Sequence, residues 1–362
     1  MTHDILKNRR RFLTHSAALV GAASLGSSIG RAQAAESLTV ATYGGYFEDS
    51  FKSIIYPAFT EETGIEIVSV PEPTSDAWLI QLETAARANS APADVSMIAQ
   101  TAMLKGQSTE LWAPLDLEKI PNHTSLTPDF IHTYSDGRVD GIGAVAWYLT
   151  LVSNTDAYPD APTSWEELWN PDNEDSLGLM ALASNSFLLE ITNATFFKDP
   201  EILKSEAGIE KVLAKLAEAK SNVALWYRDE GQFQQALQSG EIPMGQYYHD
   251  VAGLAAADGH PVRSTFPVEG GVRDSGCWAI SRASAKQEAA HTFINYMCRP
   301  DVQATLARKV GTSPTVKRDL LDLSDEEFAS VSSIDTPITP EYSMHSERAD
   351  WLNQVWTEMV TS

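Results

Sequence analysis

The strongest constraint on the fold is a regular change of hydrophobic period along the chain. "SLTVATY" (37–43), "IEIVSV" (65–70) and "ADVSMIA" (93–99) are short β-type runs, and the stretches between them carry helical spacing. After the first run, Phe47, Phe51, Ile54, Ile55 and Phe59 recur on one helical face. Glu48 and Asp49 suit the first turn, Pro57 predicts a kink, and Gly64 predicts the stop. A second helix is expected around 76–89. Strand, helix, strand, helix, strand in this order requires crossover connections, hence a parallel sheet flanked by helices. Ligands of such sheets sit outside the carboxyl ends of the strands, which favours the loops at 43–46 and 99–101.

The alternation continues. "TSWEELW" offers a capping box from Ser164 to Glu167 that opens a helix, "SLGLMAL" reads as a strand, and a helix is expected to begin near 184–186. Residues 222–259 read as strand, helix, strand, helix. A strand is expected to start at Cys277, which places Arg273 and Asp274 on the loop feeding it. The next helix, capped by Ser284 and Gln287, shows Ala290, Phe293, Ile294 and Met297 on one face and ends at Pro300. Internal repeats and low-complexity linkers are absent from the sequence, so two domains must be joined by short crossovers.

Residues 1–34 read as an export address. Arg9 and Arg10 precede a third arginine, Phe12 and Leu13, and "RAQA" supplies a cleavage site after Ala34, the pattern of a twin-arginine signal. This leader holds five of the 26 basic and one of the 49 acidic side chains, so its removal moves the net charge from −23 to −27. A surface this acidic repels nucleic acid and anionic membrane. The remaining length suits two domains. Cys277 and Cys298 are the two cysteines, and in an exported chain they either form one disulfide or stay free. Metal-ligand spacing is absent around them.

The ordered set "ATYGGYFEDSF…FTEETGIEI", "SWEELWNPDNEDSLGLM", "SGEIPMGQYYHD", "FPVEGG", "WAIS…AHTFINYMCRPDVQ" and "VGTSPT" resembles the periplasmic solute-binding proteins of ABC importers, extracellular solute-binding family 1, and within them the spermidine/putrescine-binding group. The resemblance runs from about Leu38 to Thr315. It implies an α/β chain with the periplasmic-binding-protein fold (type II): two discontinuous α/β lobes with a hinge and an interlobe cleft. One lobe would hold 36–145 and 277–312, the other 146–276 and 313–362. It also implies a periplasmic location, a small amine-containing or zwitterionic ligand, an inner-membrane ABC permease as partner, and a monomer without cofactor, metal or nucleic acid.

The same resemblance implies a site of aromatic rings and carboxylates, since an ammonium stripped of water needs an anion or a π-face. The aromatic positions fall on Tyr43, Tyr46 and Tyr248. The acid positions of the group fall on Leu182, Asn185 and Gly276, so the carboxylates are displaced. The expected ligand-binding set is therefore Tyr43, Tyr46, Gln100, Asn185, Tyr248, Asp250, Arg273 and Asp274. An arginine fork at Arg273, with Arg228 nearby, suits a carboxylate, and an aspartate suits an ammonium, a combination fit for a zwitterion. The competing reading makes Arg273 and Asp274 a solvated surface pair. Trp147 and Tyr148 are expected to pack in the hinge.

Two other functions fit parts of the sequence. Tyr247 and Tyr248 could bind ferric ion as a phenolate pair, provided both phenols reach one point, although neighbours on a strand face opposite ways. An enzyme lacks support: G-x-S-x-G, H-E-x-x-H, a phosphate loop and a paired cysteine–histidine are all missing from the sequence.

Overall fold

The computed structural model describes residues 36–72, 77–333 and 335–361, with the side chain of Tyr46 excepted. The expected leader, 1–34, lies outside the described residues. Ten strands join in one mixed sheet: β1 (Ser37–Tyr43), β2 (Glu66–Glu72), β3 (Val95–Ala99), β4 (Ile131–Thr133), β5 (Val139–Asn154), β6 (Leu177–Met180), β7 (Val223–Tyr227), β8 (Met244–Tyr248), β9 (Val262–Thr265) and β10 (Val272–Ile280). The main path runs β2-β1-β3-β10-β5-β8-β6-β7, with β4 and β9 also paired to β5. The β2-β1-β3 and β7-β6-β8 segments are parallel, as the alternation requires. Between them lie the antiparallel strands β10 and β5.

The helices fill the crossovers: α1 (Tyr46–Ser50), α2 (Tyr56–Thr63), α3 (Ala77–Arg87), α4 (Gln100–Ser108), α5 (Ala183–Ser186), α6 (Leu188–Thr192), α7 (Glu206–Ala217), α8 (Glu230–Ser239) and α9 (His249–Ala257). The chain then adds α10 (Gln287–Met297), α11 (Pro300–Val310), α12 (Asp325–Ala329), α13 (Tyr342–Glu347) and α14 (Ala349–Thr361). The kink expected at Pro57 is a π-helical turn, Phe51–Ile55, between α1 and α2. Proline cannot donate and its ring crowds the preceding turn, so widening that turn relieves both conflicts. Gly64 ends α2 at φ 74°, a left-handed cap that a side chain resists.

Apolar packing gathers on either side of the antiparallel centre. Leu38, Phe51, Phe59, Trp278, Phe293 and Leu306 pack on one face near the N-terminal strands, with Trp78, Met103, Trp112 and Cys277 on the other. Leu151, Trp165, Leu177, Ile209 and Trp356 form the second large cluster, and Tyr227, Phe233 and Tyr247 back it. Each fully buried side chain of this size contributes about 1.5–3 kcal/mol. Trp147, on β5, packs against both large clusters.

Several local expectations are corrected. β10 begins at Val272, not Cys277, because β5 offers a continuous antiparallel partner: Arg273 faces Tyr148 and Asp274 faces Trp147 in register. A polar run of this kind suggests a loop, yet a bulge between Gly276 and Cys277 absorbs its irregularity within the strand pair. Ser164 opens a short 3₁₀ turn, Trp165–Trp169. Its hydroxyl accepts from the Glu166 N–H and donates to Glu269, so the Ser164–Glu167 box does not form. Cys277 and Cys298 are both free and buried, on different clusters. Val316, Leu321, Phe328 and Val331 pack in the first large cluster, whereas the sequence reading gave everything after 312 to the second lobe. From Ile338 onward the tail joins the second cluster.

Candidate functional site

Where the two parallel segments meet the antiparallel centre, strand ends and helix starts converge on a small cavity of about 60 Å³. Ala99, Gln100 and Thr101 line it from the end of β3 and the start of α4; Ser184, Asn185 and Phe187 come from the α5 turn. Tyr248 comes from the end of β8, Asp274 from β10, and Tyr342 from α13. The carboxyl-end rule accounts for Gln100, Asn185 and Tyr248, and β10 adds Asp274 from near its start, so four expected residues meet.

Asp274 is the centre of the arrangement. Its Oδ1 accepts from the Tyr342 hydroxyl at 2.8 Å and from the Ser275 N–H at 2.8 Å. Burial nevertheless pushes its pKa up to about 6, against the opposing pull of Tyr342, Ser275, His345 and Trp147. Ionising it in place therefore costs about 3 kcal/mol relative to a solvated aspartate. Tyr43 stands beside it with its ring 6.2 Å from Trp147, edge to face, and its buried hydroxyl lacks a hydrogen-bond partner. Burial, then Glu72 and then Asp274 hold that phenol neutral, leaving it a free donor.

Further carboxyls act on the tyrosines of the site, Glu72 on Tyr43 and both Glu230 and Asp250 on Tyr248. Glu72 pairs in register with Tyr43 at the end of β2; its Oε2 is buried without a partner, and burial raises its pKa to about 8. Asp250 lies in the first turn of α9 with a buried, unpartnered Oδ1 and a pKa raised by burial to about 6. Glu230, at the start of α8, is exposed, and its pKa is raised by desolvation and then by Asp250 and Asp229, against the pull of a hydrogen bond from Tyr248. Burial, then Glu230, Asp274 and Asp250 raise the Tyr248 phenol. None of the carboxyls of Glu72, Glu230, Asp250 and Asp274 belongs to an ion pair among the described residues.

Other expected residues take different places. Arg273 and Asp274 are neighbours on a strand, so their side chains leave opposite faces. Arg273 reaches Asp129 at 2.7 Å and lies over the Phe130 ring, away from the cavity lining. This removes the guanidinium from the expected zwitterion site. Gln100 is 3 % exposed and donates to Ser275 Oγ at 2.8 Å, tying α4 to β10. Asn185 accepts from Ser184 Oγ at 2.7 Å on the exposed rim. Tyr46 opens α1, and its side chain lies outside the described part.

The phenol pair divides as strand geometry dictates. Tyr248 lines the cavity, whereas Tyr247 is 2 % exposed among Tyr227 and Phe233 and donates to the Glu230 carbonyl at 3.3 Å. A single ion held by both phenols does not fit this arrangement.

The profile of the bacterial extracellular solute-binding proteins matches residues 55–329. The chain belongs to that family. It is 25 % identical, over 92 % of both chains, to the spermidine/putrescine-binding periplasmic protein of Salmonella typhimurium. It is 22 % identical to the gamma-aminobutyric acid-binding protein of Pseudomonas aeruginosa, covering 79 % of this chain and 78 % of that one. An ABC transporter substrate-binding protein from Bradyrhizobium japonicum superposes with a TM-score of 0.78 over 90 % of this chain and all of the other, at 20 % identity. The periplasmic-binding-protein fold expected from the sequence is the fold observed.

Proposed function

We propose that this solute-binding protein captures a small solute bearing an exposed ammonium group in the periplasm and delivers it to an ABC permease in the inner membrane. The supporting observation is Asp274 in the cavity lining, with Glu230 and Asp250 acting on the lining Tyr248 and Glu72 acting on Tyr43, none of the four in an ion pair among the described residues. Burial opposes ionisation at each of them, and an ammonium supplies the charge that offsets it. Tyr248 and Tyr342 in the lining offer π-faces and hydroxyls for the rest of the guest, with the Tyr43–Trp147 pair beside Asp274. Spermidine, putrescine and gamma-aminobutyric acid, named for two relatives, share an ammonium group on a short methylene chain. Room for a handful of waters suits a short guest.

The role is binding and transfer, as in the transport proteins it resembles, and catalysis has no assigned residues. A thermal-shift screen of putrescine, spermidine, gamma-aminobutyric acid, simple carboxylates and ferric citrate tests the reading. An amine at about 100 times its dissociation constant is expected to stabilise by about 2.7 kcal/mol. Stabilisation by carboxylates or ferric citrate alone would overturn it.

A further inference from the structure

The tail contributes a cavity residue that its sequence gives little reason to expect, and the way it is fastened has a consequence for the cleft. Glu190 on α6 and His345 on α13 are 3 % and 4 % exposed. Oε1 of Glu190 accepts from the Glu341 N–H at 3.0 Å and lies 2.7 Å from His345 Nε2. One carboxylate oxygen therefore grips the strap on both sides of Tyr342. Between those grips the Tyr342 hydroxyl crosses to Asp274. Phe187 packs edge-on against both Tyr342 and His345, and α13 also packs against α4 across the cavity.

We propose that Glu190 and His345 are positioning residues: their buried pair fastens the C-terminal strap so that Tyr342 orients Asp274 and α13 braces α4, setting the affinity of the amine site. The proposal rests on the amine reading for its effect on affinity, but the fastening itself does not. Both members of the pair are fully occupied on one side only, since Glu190 Oε2 and His345 Nδ1 are buried without partners. The pair thus depends on mutual charge more than on a saturated hydrogen-bond network.

Charge makes the fastening pH-dependent. Burial disfavours the His345 imidazolium, but Glu190, then Asp274 and Glu341, outweigh it and raise the pKa. Burial likewise opposes the Glu190 carboxylate, and His345 and the Glu341 N–H outweigh it and lower the pKa. Of the other charged groups around the strap, Lys204 interacts with Glu341, Arg348 donates to the Lys204 carbonyl, and exposed Lys105 lies on α4. For histidine the stabilisation is complete below the unfolded value of 6.5 and is lost as pH rises through the raised folded value. For Glu190 it is present above 4.5 and is lost as pH falls through the lowered value. The strap is therefore fully fastened between these limits.

Hydrogen–deuterium exchange on the ligand-free full chain tests this, read as protection factors so that intrinsic exchange rates cancel. Peptides over 341–347 and 100–108 are expected to lose at least tenfold in protection between pH 5.5 and pH 9. Glu190→Gln is expected to show the low value at both pH values, while peptides over β6 and β7 keep theirs. Tyr342→Phe, which leaves the pair intact, is expected to keep protection in both segments and to weaken only the binding of putrescine. Calorimetry with putrescine at pH 6 then reads the affinity: Glu190→Gln is expected to bind at least tenfold more weakly. A pH-independent strap in the parent, or uniform loss of protection in Glu190→Gln, would overturn the proposal. Parent protein that binds neither putrescine nor gamma-aminobutyric acid would overturn the amine reading, with the exchange result still deciding the fastening. Equal putrescine affinity in parent and Glu190→Gln would overturn the link to the site.

Discussion

Asp274 carries a proton over part of the range in which a periplasmic protein works, because burial lifts its pKa to about 6. An ammonium at its carboxylate favours the ionised form, so amine binding near pH 6 expels that proton. Apparent affinity for putrescine should rise between pH 5 and pH 7, and calorimetry in buffers of different ionisation heat should register proton release at pH 6. Asp274→Asn is expected to weaken binding at least tenfold, about 1.4 kcal/mol, and to reduce that release. Glu72 gives the opposite kind of test. Its pKa, raised from 4.5 to about 8, means the folded state disfavours the charge, so stability falls as pH climbs through that interval. Glu72→Gln should match the parent at pH 4.5 and exceed it in melting temperature at pH 9, where the mismatch is worth up to about 5 kcal/mol. A variant no more stable than the parent at pH 9 would contradict the isolation of this carboxyl.

At the scale of elements, periodicity identifies the strands that are buried on both faces and fails where a strand crosses between lobes. β1 and β3 announce themselves because both faces meet apolar neighbours. "VRDSG" does not, because in β10 one side chain points at Asp129 and the next into the cavity, so no hydrophobic face exists to read. The site shows the same split. Tyr248 and Gln100 lie at strand ends where the carboxyl-end rule points, and Glu72 and Glu230 obey that rule as well, at the ends of β2 and β7. The acid positions implied by the resemblance fall elsewhere, on Leu182, Asn185 and Gly276, so the resemblance does not point to them. Tyr342 had no such signal, since its place depends on a tail that returns from the first cluster to the second. Spacing also left the cysteines open, and packing decides them. Cys277 lies with Ala41 and Met103, Cys298 with Phe293 and Leu306 on the other cluster. Both thiols have pKa values raised by burial, which leaves little thiolate. Native protein should therefore show two thiols that react with Ellman's reagent only after denaturation. Its melting temperature should be unchanged by reductant; a shift of several degrees would reveal a disulfide.

Across the whole molecule, β5 and β10 run through the centre of the sheet, and Ser313 pairs with Ala146 as the chain crosses again. The strands on which the lobes can turn thus also carry Trp147 and Asp274. Glu72 acts on Tyr43 from the N-terminal strands, whereas Glu230 and Asp250, at the starts of α8 and α9, act on Tyr248. Glu230, Asp250 and Asp274 all act on the Tyr248 phenol, so once ionised they lie close enough to repel one another, which favours separation of the lobes when no amine is present. A guest cation reverses the sign of that interaction, and its differential affinity for the closed arrangement sets how far the population shifts. Small-angle scattering at pH 8.5 and low salt should therefore give the largest radius of gyration for the ligand-free protein. Raising ionic strength to about 0.5 M, where the screening length falls well below 10 Å, should compact it partly. Saturating putrescine should compact it fully, and Asp274→Asn should respond to salt but much less to putrescine. Salt and putrescine act through the same charges, so their effects should not add. Compaction by putrescine of undiminished size in high salt would show that closure is driven by contact with the rings, with the carboxylates serving only to select the guest.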